Sequence, residues 1–222
     1  MPNWCCTNYV LLGEPKDINR FCETVNACID KPDVCENGFG KYWLGNLCVA
    51  FGYEYSESMR GLRGALNPDP DAIACFCYEC DDPRPLEPEL APDNARAQVR
   101  FSVVTAWGPS DWFHMMLDEK YPDVIVGFKT TDEFGNFHDC KNPSLLGAPA
   151  YEIGASRMGV WAEFDSGQED LVAKELTRLT GIDFSPEDVI APARKLEDAL
   201  GDYNESHEDD EVYFIAWKEV DY

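Results

Sequence analysis

The sequence predicts an α+β fold of the ferredoxin-like, split-βαβ kind: an antiparallel sheet with helices on one face, extended at its N-terminal side by a further strand and helix. Three observations carry this expectation. From residue 95 the periodic segments run strand, helix, strand, strand, helix, strand, with one extra helix before the last strand. That is the βαββαβ order of the split arrangement. The expected strands are rich in Val, Ile and Phe, while the expected helices show apolar residues three and four apart. Finally, Glu79 to Asp93 holds six acidic residues and four prolines, a composition that breaks helices and ladders alike. It reads as a linker and divides the chain near residue 94, into an N-terminal strand-helix-strand region (1–94) and the ferredoxin-like domain (95–222).

Residues 3–12 alternate, with Trp4, Cys6, Asn8, Val10 and Leu12 on one side and Cys5, Thr7, Tyr9 and Leu11 on the other. Both sets are apolar enough for a strand covered on both faces and closed by Gly13. Ile18, Phe21, Cys22, Val25, Cys28 and Ile29 then fall on one face of an amphipathic helix, which Lys31-Pro32 stops. A glycine-rich turn at Glu36 to Gly40 leads to an apolar run, Tyr42 to Tyr53, read as a second strand, and a short helix is expected around Met59 to Leu66.

Beyond the linker, Gln98 to Ala106 reads as a strand. Ser110 is placed to cap a helix whose inner face is Trp112, Met115 and Met116, ended by Tyr121-Pro122. Asp123 to Thr130 is a strand, and Glu133-Phe134-Gly135-Asn136 suits a hairpin turn. Arg157 to Phe164 is another strand. Ser166 to Glu169 has the form of a capping box ahead of Leu171, Val172, Leu176 and Leu179, with Gly181 at the C-terminal stop. Ser185-Pro186 opens a further helical segment that Pro192 kinks or splits, and Glu211 to Glu219 closes as a strand.

Charge is the most unusual property. The 222 residues include 42 acidic and 18 basic side chains, a net charge of −24. Such a chain repels phosphate backbones and anionic lipid, so direct nucleic-acid binding is not expected. No apolar run approaches the ~18–20 residues that span a bilayer, and the start lacks the basic region of a secretory signal. A soluble, cytoplasmic protein is expected. Ten cysteines in a chain of this length then read as reduced thiols, several of them core residues.

Two segments resemble a known family. The opening Met1-Pro2-Asn3-Trp4-Cys5-Cys6-Thr7-Asn8 is similar to the MPNWC-x-N start of YubB-like proteins, carried by conjugative plasmids and phages and containing a ferredoxin-like domain. Thr105-Ala106-Trp107-Gly108-Pro109-Ser110 resembles that family's T-A-W-S-P-P segment, and Tyr121-Pro122 and Glu133 to Phe137 resemble the elements that follow it. The family's W-G-T-K-W-type segment has no counterpart in Ala72 to Pro85. The resemblance implies a mobile-element context and the fold; it brings no catalytic residue.

Several groups are candidates for chemistry. Cys75, Cys77 and Cys80 contain half of a zinc knuckle, and a structural zinc needs four Cys/His ligands. His138 and Cys140 are candidates to complete it, as are Cys35 and the Cys5/Cys6 pair. The favoured reading instead makes Cys75 and Cys77 small apolar residues of a strand. A Cys–His nucleophile would have to use His114, His138 or His207, and none has a nucleophile-motif context. Trp107 and Trp112 flank a strand-to-helix turn and are read as core packing, with an aromatic recognition platform as the alternative. Residues 202–211 hold six acidic groups and no Lys or Arg. Glu208, Asp209, Asp210 and Glu211 are therefore the candidate docking residues for a basic protein partner, or for mimicry of DNA. The expected function is a non-enzymatic protein-interaction module without a cofactor. The alternative is a zinc-binding protein built on the cysteine cluster.

Overall fold

The computed structural model describes residues 4–30, 40–54, 63–67, 85–132, 137–155, 160–190 and 194–217. It is a mixed α+β chain that forms two compact units, Met1–Cys140 and Lys141–Tyr222.

The first unit is organised by β1 (Trp4–Gly13). Along its whole length β1 pairs antiparallel with β4 (Ala97–Ala106), from Trp4 opposite Ala106 to Gly13 opposite Ala97. Its other edge pairs antiparallel with β5 (Ile125–Asp132). β2 (Gly64–Asn67) pairs with β4, the two-residue β3 (Glu89–Leu90) also pairs with β4, and β6 (Phe137–Lys141) neighbours β5. The strand order is β2-β4-β1-β5-β6. Two βαβ connections therefore interleave: β4 lies between β1 and β2, and β1 lies between β4 and β5.

The helix α1 (Pro15–Asp30) buries Ile18, Phe21, Cys22, Val25 and Ile29, the stripe its spacing predicts. Phe21 stacks on Phe101 of β4 (5.3 Å between ring centroids), and Phe101 stacks on Tyr9 of β1 (5.1 Å). Each such pair contributes ~0.5–1.5 kcal/mol beyond its buried area. The hydroxyls of Thr7 and Thr130, opposite each other on β1 and β5, meet at 2.9 Å in the buried sheet. On the sheet's second face Cys6, Val10, Leu12, Ser102 and Val104 are buried too, so β1 is covered on both sides.

The second unit has a three-stranded antiparallel sheet, β8-β7-β9, with β7 (Tyr151–Ala155) between β8 (Val160–Phe164) and β9 (Val212–Ala216). One face packs Ile153, Ala155 and Val212 against Val172, Ala173 and Leu176 of α4 (Glu169–Thr180), Val189 of α5 (Pro186–Ile190) and Leu196 and Leu200 of α6 (Arg194–Ser206).

Several expectations need correction. The division does not fall near residue 94. In the expected linker, Leu86 is buried in the first core, and the Asn26 side chain of α1 brackets its backbone, accepting from Leu86 N (2.8 Å) and donating to Leu86 O (2.9 Å). Within 85–93 the prolines and charges mark exposed chain around Leu86, not a domain boundary. β4 and β9 consequently lie in different sheets, and no single βαββαβ unit runs from 95 to 222.

The run Tyr42–Tyr53 is not a strand. It forms a 3-10 turn (Gly40–Tyr42) and then α2 (Leu44–Ala50). Leu44, Leu47, Cys48 and Phe51, spaced i, i+3, i+4, i+7, are its buried face, a helical period hidden in an almost continuous apolar run. Residues 64–66 of the expected short helix are in β2. In α3 (Asp111–Lys120) the Ser110 Oγ accepts from Phe113 N as expected, but Phe113, Met116 and Leu117 face inward while Met115 is 68% exposed. The expected capping box is displaced. Gln168, not Ser166, precedes α4, and Glu169 accepts instead from Gly167 N (3.1 Å) and the Tyr151 hydroxyl (2.8 Å). A working box sits one helix later, where Asp188 accepts from Ser185 N (2.9 Å) and Ser185 Oγ accepts from Asp188 N (3.4 Å). Leu171 lies outward, and Gly181 ends α4 at φ 72°, where glycine is favoured. The strand β7 was not foreseen.

Candidate interaction surface

The candidate metal ligands Cys75, Cys77, Cys80 and Cys35, the side chain of His138, the turn at 133–136 and Pro192 lie outside the described residues. Cys140 is described and is buried on β6. Among the described residues no group of three or more His, Cys, Asp and Glu side chains is arranged to hold a metal ion. Cys22, Cys28 and Cys48 are free thiols. Burial pushes Cys22 up to about 11 and Cys48 up to about 12, which keeps both protonated.

His114 is a packing residue on α3. Its ring stacks on Phe128 (4.0 Å) and meets Tyr9 edge-on (5.6 Å). The two tryptophans beside it part company. Trp112 packs against the first core, edge-on to Tyr53 at 5.4 Å. Trp107 is 63% exposed, at φ 70°, with the Arg63 guanidinium 5.1 Å from its ring centroid. A left-handed conformation at a bulky residue costs ~1–3 kcal/mol. The turn holds it there: Thr105 Oγ1 donates to the Gly108 carbonyl at 2.5 Å, and Ala106 N donates to the Arg63 carbonyl at 2.9 Å. Core packing is thus the correct reading for Trp112 and the wrong one for Trp107.

The acidic residues 208–211 form the turn between α6 and β9. Asn204 fixes its base, donating to Val212 O (3.0 Å) and accepting from Val212 N (2.8 Å), and Asp210 N donates to His207 O. Glu208 and Asp209 are exposed, whereas Asp210 and Glu211 are partly covered. His207 stacks on Tyr203 (4.2 Å), with Nδ1 2.9 Å from both the Tyr203 carbonyl and Ser206 Oγ. Glu211 accepts a hydrogen bond from the Tyr213 hydroxyl.

That last contact joins the acidic turn to a feature the sequence reading missed. In sheet register, Trp161 of β8, Gly154 of β7 and Tyr213 of β9 form one row across the three strands. Side chains opposite one another in antiparallel pairs share a face, so this row stands on the face turned away from the helices. Trp161 is 52% exposed and Tyr213 48% exposed. A Cβ at position 154 would come 2.9 Å from Cζ3 of Trp161, so the indole lies over the glycine. In the next row Glu163, Glu152 and Ile215 are aligned; Glu163 is exposed, and Glu152 is buried and accepts from Trp217 Nε1 at 3.1 Å. The period-2 spacing of Trp161 with Glu163 was visible in the sequence. The register that brings Tyr213 beside them depends on β7 and was not.

The surface thus combines two exposed aromatic rings with carboxylates on the same sheet face and on the adjoining turn. Such a set attracts cations, through ring quadrupoles and through charge. Among the described residues no helix is long and apolar enough to cross a membrane. Comparison of the chain with family models, curated proteins and solved structures found no match.

Proposed function

We propose that this chain is a non-enzymatic protein-interaction module, acting in the cytoplasm in a plasmid- or phage-derived context, whose second unit docks a basic protein partner. The observation that carries the reading is the sheet face of that unit turned away from its helices, where Trp161 and Tyr213 stand about half exposed on the same side as Glu163, Glu211 and the turn at Glu208 and Asp209. The net charge of −24 supports it, because a field of one sign speeds encounter with a partner of the other. Mimicry of DNA is the case in which that partner is itself a nucleic-acid-binding protein.

We assign the ferredoxin-like arrangement to the first unit, on the interleaved order of β2, β4, β1 and β5. In this reading the opening segment and the Thr105-Ala106-Trp107 segment, which carry the resemblance to YubB-like proteins, are paired neighbours in one sheet, Trp4 facing Ala106. This supports treating the two segments as parts of one domain.

The test uses a basic partner captured from native lysate and then purified. Its affinity should fall steeply as salt rises, since exposed charges are screened beyond ~8 Å at physiological ionic strength. Replacing Glu208, Asp209, Asp210 and Glu211 by Gln or Asn should slow association more than it speeds dissociation. A partner whose binding ignores both salt and these substitutions rules this surface out.

A further inference from the structure

Resting on that reading, we infer that the Trp161–Gly154–Tyr213 row is the seat for an arginine side chain presented by the basic partner. The argument starts from the glycine. Adjacent strands lie ~4.8 Å apart, so Trp161 and Tyr213, one strand to either side of β7, are rooted roughly 10 Å from each other. Any side chain at position 154 would fill the space between them. With glycine there, the indole of Trp161 leans inward over β7 with its Cε3–Cζ3 edge against the glycine, and Tyr213 stands in the same row one strand beyond. The ring has room to lean over β7 only because position 154 has no Cβ.

A planar indole about half open to solvent suits a planar cation. Guanidinium stacks on an aromatic face and still points its N–H groups outward in the ring plane. Carboxylates share that face and its edge. Glu163 follows Trp161 by two residues on the same strand face, and Glu211 is held beside Tyr213 by the tyrosine hydroxyl. The hydrogen bond to Glu211 also raises the Tyr213 hydroxyl above its ordinary range, so the tyrosine stays a neutral donor that orients the carboxylate. An ammonium would meet the same charges but gain less from the plane of the ring.

Charge complementarity selects a basic occupant over an apolar one. Residues 141–222 hold 19 acidic and 7 basic side chains. An aromatic row in such a surround favours a cationic side chain, and the exposed acidic turn beside it serves neighbouring positive residues of the same segment.

The experiment titrates the full chain with an amidated octapeptide of alternating arginine and serine, and with its lysine twin, at low and at physiological salt. The arginine peptide should bind more tightly than the lysine peptide. Trp161→Ala should weaken the arginine peptide about tenfold and bring the two peptides close to equal. Gly154→Ala, which leaves every charge in place but pushes the indole edge away from β7, should give a loss of the same order. Glu208→Gln with Asp209→Asn should weaken both peptides alike and flatten their salt dependence. If the acidic pair matters and Trp161→Ala does not, the arginine seat is overturned and acidic docking stands. Equal affinity of the two peptides for the unsubstituted chain likewise overturns the guanidinium assignment. Failure of both peptides to bind at low salt overturns the seat and the docking reading together.

Discussion

The two sheets of this molecule treat their second faces differently. In the first unit, Cys6, Val10 and Leu12 of β1 are buried opposite a helix-covered face that buries Tyr9 and Leu11. In the second unit, Ile153 and Val212 are buried beneath helices while Trp161 and Tyr213 on the reverse face remain about half exposed. The central strand β7 is buried on both faces as β1 is, from Glu152 to Ala155, so the difference lies in its flanking strands β8 and β9, which present side chains to solvent. Charge follows the same division: residues 1–140 hold 23 acidic against 11 basic side chains, and the much shorter 141–222 holds 19 against 7. The same net charge is carried on a smaller unit, and that unit is the one whose reverse sheet face shows Trp161 and Tyr213 to solvent.

This contrast can be broken at its strongest point. Phe101→Ala removes a ring that is 1% exposed and stacked on both Tyr9 and Phe21, so the first unit should lose ~3–5 kcal/mol in a denaturant melt. Hydrogen exchange at β1 and β4 amides should accelerate with it. A loss below ~1 kcal/mol would mean that the aromatic stack is not the centre of that core.

Asn204→Ala tests how firmly the acidic turn is held. It leaves the backbone N–H and carbonyl of Val212 without their side-chain partner, at a cost of ~1–3 kcal/mol, and should loosen residues 207–211 in exchange experiments. Trp161→Ala should cost ~1–2 kcal/mol, less than Phe101→Ala, because only about half of the ring is buried. Gly181→Ala, at φ 72°, should cost ~1 kcal/mol in thermal melts, whereas Gly201→Ala, in the helical segment Arg194–Ser206, should cost nothing or stabilise slightly.

The smallest effect concerns pH. Asp93 lies in the tight turn before β4, where its carboxylate accepts from Arg96 N, Ala95 N and Arg96 Nε. The backbone hydrogen bonds lower it to about 2 from 3.8. A depressed carboxyl contributes its stabilisation above the unfolded value and loses it as protons bind the folded form. The contribution should therefore be complete above pH ~4 and vanish as pH falls toward 2. Following the Asp93 carboxyl carbon by NMR against pH checks this; a midpoint at 3.8 or higher would show that the turn does not hold the charge.

How much was legible in the sequence depends on whether the signal was local. The helix α1 was readable because Ile18, Phe21, Cys22 and Val25 state a period of 3.6 without ambiguity. The helix α2 was not, because Trp43 to Phe51 is apolar at nearly every position and several periods fit it. The domain division was misplaced for a different reason. Prolines and carboxylates at 79–93 are a local sign of surface, but only Asn26, sixty residues earlier, reveals that Leu86 is tied to the first unit. Glu208 to Glu211 could be nominated from composition alone. Trp161 and Tyr213 could not, since the row that joins them exists only once β7 lies between β8 and β9.

The most direct test of the account is to map, by backbone and indole chemical shifts of the full chain, where the alternating arginine–serine peptide binds. The account predicts that the largest changes fall on residues 152–154, 161–163 and 208–217, with the Trp161 indole Nε1–H among the most displaced. Changes centred instead on Arg63 and Trp107, or scattered over acidic residues of both units without touching Trp161 and Tyr213, would contradict it.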